Sequence, residues 1–174
     1  MQTTASVSKV TILWRKTASR FLAASWFLGI ALGCMAAGAA RNVLVDLIRR
    51  CAGAEQSIIG VLTVTTLPFL LSAFAVSFSE PWLLLFISTC KAFSFSFCAW
   101  GICLAFGQSG WLVLFLLLFS DVLLVPLLYF YWLRHIRGDQ APEAWELPVL
   151  LAAAMTVAFV DHQFVAPFLG SLMK

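Results

Sequence analysis

The chain has 174 residues, of which 62% are hydrophobic and 11% charged, with a formal net charge of +3 and a mean hydropathy of +0.97. A soluble domain of this length needs a charged shell, whereas a chain solvated by lipid leaves apolar side chains facing outward at no cost, so the composition excludes a water-soluble fold. The charge is too small and too dispersed for a nucleic-acid partner, and five cysteines (Cys34, Cys51, Cys90, Cys98 and Cys103), an odd number lying mostly inside apolar runs, read as small hydrophobes with no disulfide, metal or redox role.

The expected fold is all-α, a polytopic integral membrane bundle of about five transmembrane helices forming one domain over residues 21–174. Residues 1–20 are a polar flank in which Lys9, Arg15, Lys16 and Arg20 precede the first apolar run, the pattern of a cytoplasmic N-terminus. That run, 21–40, ends in the small residues AAGAA, which raises the alternative of a cleaved signal peptide. Its length approaches the ~20 residues of a full span and favours an uncleaved helix.

From 42 to 54 the apolar residues Val43, Leu44, Leu47, Ile48 and Cys51 recur at helical spacing opposite Asn42, Asp46, Arg49 and Arg50, as in an amphipathic helix at the membrane interface. It reads as a connector rather than a partner-docking element. A second span covers about 57–78. The short Ser79-Glu80-Pro81 turn leads into a third, about 82–106, and Gly107-Gln108-Ser109-Gly110 into a fourth, about 111–133, which closes on Tyr129, Tyr131 and Trp132 at the depth of an aromatic belt. After the loop RHIRGDQAPE a fifth span runs over about 145–169.

Lysine and arginine counts set the orientation. With the N-terminus inside, Lys9, Arg15, Lys16, Arg20, Arg134 and Arg137 lie on the inner side, against Arg41, Arg49, Arg50 and Lys174 on the outer side. The bias of six to four favours a cytoplasmic N-terminus and an external C-terminus.

Ionisable groups within apolar spans are costly and usually turn inward, so Lys91, Asp121, Asp161 and His162 form the candidate intramembrane polar network. Lys91 lies roughly 15 Å into the third span at 1.5 Å per residue, and Asp121 lies near the middle of the fourth. The tight turn between these spans predicts that Lys91 and Asp121 meet as a buried ion pair, either a structural lock or part of a relay. Asp161 and His162 fall near the outer end of the fifth span, before Gln163 and Pro167, where a polar pocket and a frayed helix end are both open readings.

Ser88, Lys91, Ser94 and Cys98 recur at intervals of three and four and make one face of the third span polar, with Phe93 and Phe97 on another. In the first span Gly29 and Gly33 form GxxxG and Ala37 extends the small-residue ridge, a candidate helix-packing surface. Pro68 and Pro126 fall inside the second and fourth spans as potential kinks.

Three local patterns carry a family resemblance. Lys91-Ala92-Phe93 followed by Ser96-Phe97, Phe119-Ser120-Asp121 five residues before Pro126, and Phe164-Val165-Ala166-Pro167-Phe168 resemble, in order and spacing, motifs of stage II sporulation protein M and its relatives. In those proteins the corresponding text is basic-Gly-Phe then Gly-Phe, Pro-Gln-Asn before a proline, and aromatic-aliphatic-Ser-Pro-Phe. Ala92 and Ser96 stand for the glycines, Asp121 for an amide and His162 for a nearby glutamate, so the chain resembles a divergent member. The resemblance implies a non-catalytic scaffold in the cell membrane of an endospore-forming bacterium, one that recruits or positions cell-wall hydrolases during engulfment.

No H-E-x-x-H, G-x-S-x-G, Walker loop or Cys-His metal spacing is found, and the aspartates lack the Tyr-Asp and Gly-x-Gly-Asp contexts of intramembrane aspartyl proteases. The residues therefore point away from an enzyme and imply no cofactor. The alternative to a scaffold is the membrane subunit of a small-solute transporter working with a separate ATPase, as midplane charges and kinked helices suggest. The expected partners are the lipid bilayer and other membrane proteins.

Overall fold

The structure, a computed structural model, describes residues 3–52, 57–77, 81–107, 110–137, 145–165 and 167. Seven α-helices follow in order: α1 (Thr3–Ala39), α2 (Arg41–Ala52), α3 (Ile58–Ser77), α4 (Pro81–Phe106), α5 (Gly110–Leu117), α6 (Phe119–Arg137) and α7 (Glu146–Val160). A π-helical turn, Asp161–Val165, prolongs α7. There is no strand among the described residues, as expected where backbone amides and carbonyls must pair within their own segment.

Four helical stretches are long and apolar enough to cross a membrane: Thr17–Ala39, Ile58–Val76, Trp82–Phe106 and Glu146–Val165. No more than 33% of any of these stretches is buried inside the chain, so most of their apolar surface faces outward. Phe27, Met35, Ile59, Phe86 and Phe130 are among the large side chains left exposed, the pattern of a helical protein that meets lipid.

The fourth of the five expected spans differs from the sequence reading. It is two helices, α5 of eight residues and α6 of nineteen, meeting at the turn residue Leu118. The ladder of backbone hydrogen bonds runs through the junction, with Leu118 N–H on Leu114 O and Val122 N–H on Leu118 O, both 2.9 Å. Neither piece alone matches the other four stretches: α5 is too short, and Ser120, Asp121, Arg134 and His135 dilute the apolar text of α6.

The first helix also starts earlier than expected. Helical backbone begins at Thr3, so the basic flank and the first span are one continuous rod. The amphipathic segment is helical over Arg41–Ala52, and its buried Leu44 belongs to the side facing α4. A Cβ added at Gly101 of α4 would stand 2.6 Å from Ile48 Cδ1 and 2.8 Å from Leu44 Cδ2, which shows how closely α2 lies on that helix. Val43 and Leu47 remain outward. The Ser79-Glu80 part of the first tight turn lies outside the described residues, as do Gln108 and Ser109 of the second. Gly107, which opens the second, has φ +61°, the left-handed conformation that ends a helix cheaply only at glycine.

The core sits where α1, α3, α4, α6 and α7 converge, around Leu22, Phe69, Leu84, Leu124, Leu128 and Trp132. The most extensive contact is α1 on α4, followed by α3 on α7. Its cause is the pair of glycines at 29 and 33. A Cβ at Gly29 would strike the Thr89 carbonyl and stand 2.7 Å from Ala92 Cβ; one at Gly33 would strike Ser96 Oγ and stand 2.5 Å from the Phe93 carbonyl. The small-residue ridge is therefore filled by this chain's own α4, with Ala92 fully buried against it.

Candidate functional site

The polar residues of the third span, Ser88, Lys91, Ser94 and Cys98, run along α4 from its buried side to its exposed side. Ser88, Ala92 and Ser96, at intervals of four, line the buried side of α4, and Ser88 Oγ lies 3.0 Å from Ser25 Oγ of α1. Ser94 and Cys98 are exposed. Phe93 and Phe97 stack with ring centroids 5.8 Å apart, as their separate placement suggested.

Lys91 stands between these faces and reaches α6, where its Nζ donates to Asp121 Oδ1 at 2.5 Å. The pair joins two helices linked through the short connection after Gly107, and its side chains keep only 14% and 23% of their exposure. Two charges that are each costly in an apolar span thereby neutralise one another.

Asp121 also belongs to a second feature. Together with Ser57, Gly60, Val61, Val64, Thr65, Ser120 and Asp161 it lines an open cleft of about 390 Å³ between the start of α3, the start of α6 and the end of α7. Three of the four predicted polar residues thus gather in one region: Lys91 on Asp121, and Asp121 and Asp161 in the wall of the same cleft. His162 follows Asp161 on the π-helical turn but does not line the cleft.

The helix continues past Val160 as a π turn. Asp161–Val165 retains helical hydrogen bonding with a wider ring, a form seen mostly as single turns inside α-helices, frequently at functional sites. Two prolines bear on the same region. Pro68 of α3 has no N–H to offer the carbonyl of Val64, which lines the cleft, and Pro167 follows the π turn with no N–H to donate.

Two buried polar contacts escaped the sequence reading. Trp132, placed by that reading in an aromatic belt, is fully buried and donates its indole N–H to Ser72 Oγ of α3 at 2.6 Å. Tyr131 is buried as well, so of the three aromatic residues Tyr129 alone retains part of its exposure. At the same end of α6, Glu146 of α7 is buried and forms an ion pair with Arg134, and its second carboxylate oxygen lies 3.5 Å from His135 Nε2, whose ring lies 4.4 Å from that of Tyr131. Burial holds the His135 imidazole below its ordinary pKa, with Arg134 adding to the depression and Glu146 opposing it. The only sequence signal for this cluster is the recurrence of charge on both sides of the loop between α6 and α7.

Cys34, Cys90, Cys98 and Cys103 are free thiols. Among the described residues no group of histidines, cysteines and acids is arranged to hold a metal ion. No protein-family model, no curated protein and no solved structure matches the chain.

Proposed function

We propose that the chain is a multi-pass, non-catalytic membrane scaffold of the stage II sporulation protein M kind, with its N-terminus in the cytoplasm and its C-terminus outside, positioning cell-wall hydrolases. The observation that carries this reading is the Lys91–Asp121 ion pair. Both residues lie within the local patterns that resemble that family, and their charges are spent on holding α4 to α6. Ser25 with Ser88 and Ser72 with Trp132 act in the same sense, tying helix to helix. A framework of this kind, apolar outside and locked inside, suits a protein whose work is to hold others in the membrane plane.

The five-span arrangement that this orientation requires counts α5 and α6 as one crossing. Alkaline phosphatase fused after Lys174 is then active in intact cells, and the same reporter placed in the loop between α6 and α7 is inactive. The reverse pattern rejects the orientation.

Mild-detergent affinity purification from the native membrane tests the function, with Lys91→Ala and Asp121→Ala beside the natural chain. Cell-wall hydrolases that co-purify with the natural chain and are lost from both variants support the scaffold. An ATPase subunit in their place supports the second reading, a membrane subunit of a small-solute transporter, which the 390 Å³ cleft specifically favours.

A further inference from the structure

The indoles of the described residues divide into buried and outward-facing ones. Trp132 is fully buried, whereas Trp82, Trp100, Trp111 and Trp145 are 63%, 48%, 70% and 59% exposed. The four exposed rings are not scattered over the apolar surface. Trp82 and Trp111 stand second in α4 and α5, Trp145 immediately precedes α7, and Trp100 lies six positions before the end of α4. Between Trp82 and Trp100 the exposed residues of α4 are Phe86, Cys90, Ser94 and Cys98, with no indole among them.

Packing sorts these rings into two levels. At one, the Trp82 ring meets that of Phe21 of α1, centroids 6.5 Å apart, one position after the exposed Arg20. At the other, a Cβ added at Gly110 would stand 3.2 Å from the Cys103 Cα, so Trp111 begins α5 level with the part of α4 just past Trp100. From there α6 runs back toward the first level, and Glu146, the neighbour of Trp145, is ion-paired to Arg134 near the end of α6. Trp82 and Trp100 are eighteen positions apart, about 27 Å at 1.5 Å per residue, against about 30 Å of hydrocarbon in a bilayer. Lys91 stands nine positions from each. An indole joins an apolar ring to one N–H donor and so matches the boundary where acyl chains give way to headgroups. We propose that the four exposed indoles form two belts on the lipid headgroup boundary, Trp82 and Trp145 in one leaflet and Trp100 and Trp111 in the other, with the Lys91–Asp121 pair at the bilayer centre. This seating requires only that the helices cross the membrane, and it holds for either orientation and for scaffold and transporter alike.

The test uses the full chain labelled with fluorotryptophan, in phosphatidylcholine nanodiscs that carry a nitroxide lipid labelled either beside the ester carbonyl or at the acyl-chain end. Trp→Phe at each of the four exposed positions assigns the fluorine resonances and leaves the core intact, since these rings face outward. The resonances of Trp82, Trp100, Trp111 and Trp145 lose most of their intensity to the shallow nitroxide and little to the deep one. Cys90→Trp, at an exposed position near the middle of α4, supplies an indole at the opposite depth, and its resonance is lost to the deep nitroxide instead. A resonance of the four that loses as much to the deep label as to the shallow one, or little to either, overturns the proposal, as does a Cys90→Trp resonance that prefers the shallow label.

Discussion

Ser72 of α3 stands between Trp132 and Pro68: it accepts the indole N–H of Trp132 at 2.6 Å and passes its own proton to the Pro68 carbonyl at 2.6 Å. All of this takes place where Ser72 and Trp132 are fully buried, so the polar link between α3 and α6 runs through a single hydroxyl. Ser72→Ala leaves the indole N–H without its acceptor and costs about 1–3 kcal/mol, the range for an orphaned buried donor. Thermal unfolding in mild detergent measures it, and a cycle with Trp132→Phe isolates the coupling between the two side chains. Independent, additive losses in that cycle reject the contact.

The α1–α4 contact predicts opposite outcomes for glycines on one helix. Gly29→Ala and Gly33→Ala each force a methyl into the backbone or Ser96 of α4, an overpacking cost of about 1–3 kcal/mol. Gly38 of α1 has open space on its Cβ side, and Gly38→Ala is neutral or stabilising by up to about 1 kcal/mol. Equal stability changes at the three positions, measured by the same unfolding assay, would contradict the close approach.

For Lys91 and Asp121, either single alanine substitution leaves one buried charge alone, at a cost of about 3 kcal/mol or more. The double substitution Lys91→Asp with Asp121→Lys restores the attraction and recovers most of the folded, extractable protein. A double variant as defective as the singles shows that the ion pair is not the interaction holding α4 to α6.

His135 gives a pH dependence whose sign is fixed by the direction of its shift. The native ring has a pKa below the ordinary imidazole value, so above that value both states are neutral and its contribution is complete. As pH falls below about 6.5, the unfolded chain takes up the proton first and the fold loses stability, progressively down to the lowered native pKa. His135→Gln removes this component. A natural chain whose Tm is as flat with pH as that variant between about pH 7 and 5 is inconsistent with the shift.

Much of the framework was readable because it depends on composition and order. Lipid as the solvent, the all-α class and the Lys91–Asp121 pair followed from runs of apolar residues, short connections and the cost of isolated charge. Gly29 and Gly33 announced a close helix contact but not that α4 fills it, since a ridge of small residues says nothing of its occupant. Trp132 was misplaced because an aromatic residue near the end of a span reads as an interfacial anchor, and burial is decided by a serine sixty positions earlier. The break at Leu118 lies within FLLLF, where no glycine, proline or charge marks it. The placing of Asp161 and Asp121 in the wall of one cleft is tertiary, produced by α3, α6 and α7 converging, and no periodicity encodes it.

The unbroken helix from Thr3 to Ala39 has a mechanical meaning. At 1.5 Å per residue it is about 55 Å long, against a hydrocarbon layer of about 30 Å, so it carries a stiff extension well beyond the membrane. The clamp at Gly29 and Gly33 sits toward the far end of that rod. A pull or tilt applied to the first residues is therefore transmitted as rotation about the α4 contact, turning the leading end of α1 into a handle on the packing of the bundle.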